Sequence, residues 1–171
     1  ANMTDGDRLY RNYKDGQPAI NAYLDDYALL ITALLDMYQA TFEGQYLTRA
    51  GAYIDYVEEH FIDPESGLYF YTSDGDPALI ARKKELQDNV IPGSNSVMAH
   101  ALLTYGLLMG SQPHTNKAQT MLRRMTQHVD KYPSSFANWA RLRLRFVYPD
   151  HELVIMGPDA GSARTEALKQ F

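Results

Sequence analysis

Two predicted helices of this chain are apolar on nearly all sides, and each is followed by a helix that is apolar on one face only. The first begins at Leu24 and combines a regular apolar face with a second apolar stripe on its back. That stripe consists of Leu30, Ala33, Met37 and Ala40. A helix with so narrow a polar strip has to be covered on most of its surface. No other feature of the sequence constrains the fold as much.

The order of the helices predicts an α/α toroid. The first helix, which is apolar on nearly all sides, is followed by a helix at about 45–61 that is apolar on one face only. A second widely apolar helix at about 95–109 is followed by a second one-faced helix at about 116–131, and a fifth helix is predicted over 133–147. In a toroid, inner helices line the axis and outer helices shield them. We therefore expect a mainly all-α chain that forms part of an (α/α)6 toroid. Five helices cannot close a ring of twelve, so we expect a half-toroid or a homo-oligomer that covers the exposed apolar surface.

Three segments are predicted as additions to this ring, which itself occupies residues 22–148. Residues 1–21 are predicted as a surface arm, because their turn formers cluster without a hydrophobic period. A β-hairpin is predicted as an insertion at about 66–84, where turn formers flank a strand-like run. Residues 149–171 are predicted as the start of a short C-terminal βα unit, with a strand at 152–156, that the chain end cuts short.

Composition excludes several classes of function. The chain has 21 acidic and 16 basic residues and a net charge of −5, so we expect neither nucleic acid nor a membrane surface as a partner. The absence of cysteine excludes a disulfide framework, a thiolate metal site and a Cys nucleophile. No apolar run reaches the roughly 18 residues of a membrane span. We expect a soluble, cytoplasmic chain without a cofactor or metal ion.

One candidate site is the pair of carboxylates at Asp25 and Asp26, flanked by Tyr23 and Tyr27 at the predicted start of the first helix. Free backbone N–H groups and the helix dipole favour ionised carboxylates at this position. One hypothesis is therefore that the carboxylates only cap the helix. The other is that they face the mouth of the toroid and bind sugar hydroxyls or act as a base, with both Tyr side chains contacting substrate.

A second candidate site lies just before the third helix, where Asp88, Ser94 and Asn95 surround a turn. Ser94 or Asn95 is also a natural helix cap. If the inner helices begin at the same end, this group meets the first carboxylate pair at one rim, joined by Arg82 from the hairpin. Two carboxylates on opposite sides of a sugar ring can divide the acid and base roles of glycoside hydrolysis. The rim is therefore predicted to bind a saccharide, with the Asp carboxylates of both groups as catalytic candidates.

His100 is a further candidate, because imidazole titrates near neutral pH and a sugar epimerase needs such a group. It shares one polar strip of the third helix with Ser96 and Thr104. The alternative is a hydrogen-bonded core histidine, since His100 lies more than a turn inside an otherwise apolar helix. The other histidines have no metal-ligand spacing, so no metal site is expected.

Five segments of the sequence resemble one protein family, in order and spacing over most of the chain. They are RNYKDG at 11–16, AYLDDYA at 22–28, LLDMYQAT at 34–41, GLYFYT at 67–72 and DNVIPGSNSV at 88–97. Together they resemble the spermatogenesis-associated protein 20 family, which is widespread in bacteria. The sequence departs from the family at 92–96, where the usual order is similar to Pro-Ser-Gly-Asn-Ser.

The resemblance implies a thioredoxin-like domain, without a counterpart here, followed by a toroid similar to N-acylglucosamine 2-epimerases and six-hairpin glycosidases. This chain resembles the C-terminal half of that toroid. If it is an enzyme, the implied activity is sugar epimerase- or isomerase-like, or glycoside hydrolase-like. Three hypotheses stay open: a carbohydrate-active enzyme, a binding module without turnover, and a scaffold for the thioredoxin-like domain. The first predicts that Asp25, Asp26 and Asp88 line one cleft.

Overall fold

The computed structural model describes residues 3–77, 81–148, 150–151 and 153–169. Its helices are α1 (Leu24–Thr41), α2 (Gly44–His60), α3 (Ser94–Met109), α4 (Gln112–Lys131), α5 (Ala137–Val147) and the short α6 (Ala160–Ala167). A 3-10 turn at Pro133–Ser135 precedes α5, so the fifth predicted helix is divided in two. The prediction of a mainly helical chain is confirmed.

Helix α3 lies in the middle of the helical body. It packs against α1 on one side and against α4 and α5 on the other, while α2 covers α1 from outside. Gly106 allows α3 and the start of α4 to approach closely, because a Cβ at this position would lie 2.6 Å from Thr115 Oγ1. Trp139, Tyr27, Met98 and Leu102 are among the largest fully buried side chains. The core therefore runs through the helices that sequence patterning marked as apolar.

The sequence predicts that both inner helices are covered on most of their surface. This prediction is confirmed for α3 but not for α1. The first ten residues of α3 are buried except His100, which is partly exposed. On α1, Leu29 and Met37 are 50% and 42% exposed, and Ala33 is exposed beside them. Of the second apolar stripe, Leu30 packs against the core while Ala33, Met37 and Ala40 are exposed, so most of the stripe faces outward.

The N-terminal segment forms a small antiparallel sheet, which the sequence analysis did not predict. Its strands are β1 (Thr4–Asp5), β2 (Arg8–Lys14) and β3 (Gln17–Asn21), in the order β1-β2-β3. Asp15 and Gly16 form the two-residue loop between β2 and β3 with φ of +53° and +82°, which an Asp-Gly pair adopts readily. Leu9 is buried, and its N–H donates to the Tyr27 hydroxyl at 2.8 Å, which ties the sheet to α1.

The predicted β-hairpin at 66–84 is wrong for the residues that the structure describes there. They form turns with one isolated antiparallel bridge, between Ile62 and Tyr69, and Tyr71 N–H donates to the Lys83 carbonyl at 2.7 Å. Residues 78–80 of the predicted hairpin lie outside the described part. The backbone of Tyr69 pairs instead with the side chain of Asn95, which replaces a strand ladder.

The predicted C-terminal strand is also not observed over residues 153–156. Leu153, Val154 and Met156 are 63%, 73% and 85% exposed, with no neighbouring strand among the described residues. The helix of the predicted βα unit is present as α6. A strand needs a partner for its backbone groups, and β-propensity alone does not supply one.

Candidate functional site

Three helices line an open cleft of about 380 Å³, and each contributes a pair of polar side chains to its wall. The pairs are Thr32 and Asp36 on α1, His100 and Thr104 on α3, and Arg141 and Arg145 on α5, and Asn138 at the start of α5 also lines the cleft. In each helix the two residues are four positions apart, so they lie on one face. Apolar side chains of α1 and α3 complete the wall. The faces of α1, α3 and α5 that meet here are therefore polar, although the helices are largely apolar elsewhere.

His100 lines this cleft, and its hydrogen bond fixes which ring nitrogen carries the proton. Its Nε2 lies 2.9 Å from the backbone carbonyl oxygen of Asn138, which can only accept a hydrogen bond. Nε2 therefore carries the proton, and the neutral ring keeps a lone pair on Nδ1. Burial lowers the pKa of His100, and the nearby Arg145 and Arg141 act in the same direction. The imidazole is thus held neutral near pH 7.

Asn138 joins the elements around the cleft. Its side-chain Nδ2 donates to Ser96 Oγ at 2.8 Å, and its backbone N–H donates to Asp88 Oδ2 at 2.8 Å. Asp88 also accepts from the N–H of Gly93 at 3.0 Å. Both oxygens of Asp88 therefore bind backbone groups, at the start of α5 and in the turn before α3. Asp88 was predicted as catalytic, but it does not line the cleft.

The two arginines of the cleft differ in their partners. Arg145 forms an ion pair with Asp150 and donates to Thr104 Oγ1 at 3.0 Å, so its guanidinium is largely satisfied. Arg141 donates one hydrogen bond, to Asn138 Oδ1 at 3.3 Å. Its side chain is exposed, and no carboxylate of the described residues pairs with it.

Asp25 and Asp26 form a separate cluster at the start of α1. Arg11 from β2 bridges them, with Nη1 3.5 Å from Asp25 Oδ1 and 3.4 Å from Asp26 Oδ2. Asp26 Oδ2 accepts the N–H of Tyr23 at 2.9 Å, which is the capping geometry that one hypothesis predicted. Burial raises the pKa of Asp26, against the effect of that hydrogen bond. The Arg11 guanidinium lies over the Tyr23 ring, with its Cζ 4.8 Å from the ring centroid.

Four other predicted binding residues lie within the fold and do not line the cleft between α1, α3 and α5. The Tyr27 hydroxyl bonds to the backbone of β2, and Arg82 donates to the carbonyls of Thr72 and His60. Ser94 is fully buried, and its Oγ has no hydrogen-bond partner in the described part of the chain. Asn95 is fully buried and bonds to the backbone of Tyr69 and Glu85.

The structure therefore does not bring Asp25, Asp26 and Asp88 together in one cleft. Of the predicted site residues, His100 alone lines the cleft between α1, α3 and α5, and Tyr23 lines a different one of about 420 Å³ near Thr72 and Asp76. Asp36, Arg141 and Arg145 line the cleft but were not predicted from the sequence. The pattern that could have indicated them is the four-residue spacing of polar side chains, which was used for the third helix only.

The described residues contain no group of three or more His, Cys, Asp or Glu side chains placed to hold a metal ion. None of their helices is both long and apolar enough to cross a membrane.

Comparison with known proteins places the chain beside one family. It is 29% identical over 158 residues to spermatogenesis-associated protein 20 of Mus musculus, which covers 92% of this chain, and 29% identical over 154 residues to that of Homo sapiens, which covers 90%. The resemblance to the spermatogenesis-associated protein 20 family is confirmed. An uncharacterised protein of Caenorhabditis elegans is 26% identical over 158 residues. No model of a known protein family matches the chain.

The chain spans about a fifth of the length of these relatives. It covers 20% of the mouse and human spermatogenesis-associated protein 20 and 21% of the Caenorhabditis elegans protein. About four-fifths of each relative therefore has no counterpart in this chain.

Acidification is expected to destabilise the protein through His100. Because the pKa of His100 is lowered on folding, the unfolded chain binds a proton there more readily than the folded one. The stability that the neutral ring contributes is complete above the ordinary pKa of about 6.5 and is lost as the pH falls below it. An NMR titration of the ring protons should give a midpoint below about 6.5. His100→Gln should lose less stability than the wild type between pH 7 and pH 5, and a midpoint above the ordinary value would contradict this assignment.

Proposed function

We propose that this chain is part of an α/α toroid and that its helices α1, α3 and α5 bind a saccharide in the cleft between them. The observation that carries the proposal is the convergence of polar pairs from three helices into one cleft of about 380 Å³. A cleft of this size suits a small ligand, and a few polar groups on an apolar wall fix its orientation. Asp36 is a hydrogen-bond acceptor for sugar hydroxyls, and Thr32 and Thr104 act as donors or acceptors.

The same cleft favours proton transfer over glycoside hydrolysis as the chemistry of a complete family member. Hydrolysis by the usual route needs two carboxylates that flank the sugar, and Asp36 is the single carboxylate among the described lining residues. His100 instead supplies a neutral imidazole with a free lone pair on Nδ1, which is the form a general base requires. We therefore favour an epimerase- or isomerase-like reaction, with His100 as the proton acceptor and Asp36 as a binding residue.

A scaffold role is the second candidate. It is favoured by the internal engagement of Asp25, Asp26, Asp88 and Asn95, whose hydrogen bonds serve helix starts and turns. In that case the cleft has no ligand, and the chain only supports the rest of a longer protein.

Replacing Asp36 with Asn is expected to abolish stabilisation by saccharides. A ligand present at about a hundred times its Kd stabilises the folded state by about 2.7 kcal/mol, which raises Tm by roughly 5–10 °C for a chain of this size. A thermal-shift screen with neutral and charged monosaccharides measures this. Asp36→Asn should remove most of the shift, because it loses an ionised acceptor in the cleft.

Asp55→Asn is the matched control, since Asp55 is exposed on the outer helix α2. It makes the same chemical change away from the cleft and should retain the full shift. A shift that survives in Asp36→Asn would contradict binding in this cleft. No shift with any saccharide would overturn the proposal and favour the scaffold role.

A further inference from the structure

Arg141 is the most available cation of the cleft. The guanidinium has five N–H donors, and the one hydrogen bond of Arg141, to Asn138 Oδ1, is long at 3.3 Å. Arg145, one turn further along α5, directs its charge to Asp150. Arg143 lies between them in sequence and pairs with Asp130, 2.7 Å away, outside the cleft. Within the described part of the chain, α5 thus presents one guanidinium without a counter-charge to the cleft.

The fold anchors the helix start that carries this guanidinium. Asn138 fixes the start of α5 through Asp88, Ser96 and the imidazole of His100. Arg141 follows one turn later on the same helix and bonds to the Asn138 side chain. Its fork of N–H groups therefore projects from an anchored backbone, which lowers the entropy that ordering the site on binding would cost.

A planar guanidinium with free donors matches carboxylate and phosphate oxygens, to which it donates two parallel hydrogen bonds. Asp36 on α1 lines the same cleft without forming an ion pair with Arg141. It stays available as an acceptor for hydroxyl groups. A ligand that fits both walls carries hydroxyls on one side and an anionic group on the other.

We propose that the ligand of this cleft is an anionic saccharide whose carboxylate or phosphate group binds Arg141. This inference rests on the proposed saccharide site and specifies its substrate class. The neutral Nδ1 of His100 would then accept a hydrogen bond from a hydroxyl of the same ligand, between the anionic end at α5 and the hydroxyls at α1.

Isothermal titration calorimetry with glucuronate, glucose 6-phosphate and glucose tests the inference on the 171-residue chain. We expect at least one of the two charged saccharides to bind about 10- to 100-fold more tightly than glucose, as one charge-assisted bidentate contact allows. Arg141→Gln should reduce the affinity for that saccharide to the level of glucose. Arg141→Lys should restore part of the preference, because it keeps the charge and loses the fork.

Arg143→Gln is the matched control, since it removes the same charge from the same helix outside the cleft. It should leave all affinities within about twofold, because an exposed ion pair of this kind contributes little. Equal binding of glucose and both charged saccharides would overturn the anionic class while leaving the saccharide site standing. If Arg143→Gln lost as much affinity as Arg141→Gln, the anionic class would also be overturned, because the effect would then be one of general charge. Failure of every saccharide to bind would instead overturn the proposed function itself.

Discussion

Replacing Asn95 with alanine should lower the free energy of unfolding by about 3–4 kcal/mol, because it removes several hydrogen bonds inside the core. Asn95 Oδ1 accepts the N–H of Tyr69 at 2.8 Å, and Nδ2 donates to the carbonyls of Tyr69 at 2.9 Å and Glu85 at 3.1 Å. Asn95 is fully buried, so water does not replace these partners without opening the structure. Alanine would leave two backbone groups of Tyr69 unsatisfied.

Urea denaturation followed by circular dichroism measures this change. Asn89→Ala is the control, because Asn89 is exposed in the loop before α3 and its side chain makes none of these bonds. It should change stability by less than about 0.5 kcal/mol. A comparably small effect of Asn95→Ala would contradict the structural role and return Asn95 to the list of binding candidates.

Replacing Trp139 with alanine should cost about 3–5 kcal/mol, the range for removing a large aromatic side chain from a packed core. Trp139 is fully buried at the start of α5, and its Nε1–H donates to the Leu86 carbonyl at 2.9 Å. It therefore attaches α5 to the loop before α3. Since α5 carries Arg141 and Arg145, the substitution should also remove saccharide binding.

Trp139→Phe separates packing from the hydrogen bond. It keeps an aromatic ring in the core, leaves the Leu86 carbonyl without its donor, and should cost about 1–2 kcal/mol. Thermal unfolding followed by circular dichroism at 222 nm compares the two variants without relying on tryptophan fluorescence. A loss below about 1 kcal/mol for Trp139→Ala would show that α5 is not anchored by this side chain.

Helix positions were predictable because hydrophobic periodicity is a local signal. The starts of α1 and α3 lie within one residue of the predicted positions. Helix α4 begins four residues before the predicted start at 116, since the polar run that opens it carries no apolar period. The N-terminal sheet escaped prediction because its strands are short and largely exposed, and its Asp15-Gly16 loop was interpreted only as a turn.

The candidate site was harder to predict, because the hydrogen-bond partner of each polar side chain can lie close by in the sequence or far along the chain. Asp26 caps α1 within three residues of sequence, but Asn95 bonds across 26 residues and Asp88 across 50. Sequence spacing does not reveal such partners. The carboxylates beside helix starts were therefore overvalued as catalytic candidates, while Asp36 and Arg141 in the middle of helices were overlooked.

The exposed apolar surface leaves one prediction open. Met37 on α1, with Leu144 and Val147 on α5, are between 42% and 60% exposed, and these three side chains do not line the cleft. Exposed apolar side chains that form one contiguous patch mark surfaces that other protein segments cover. That a second copy of the chain covers them stays a prediction.

The most direct test of the saccharide cleft is a titration of the isotope-labelled chain with whichever of glucuronate and glucose 6-phosphate binds more tightly, followed by amide chemical shifts. The account predicts that the largest changes fall on three helices at once, around Asp36 on α1, His100 on α3 and Arg141 on α5. It also predicts that the amides of Tyr23 and Asp26 change little. Changes confined to the start of α1, or no changes at saturating ligand, would contradict the account.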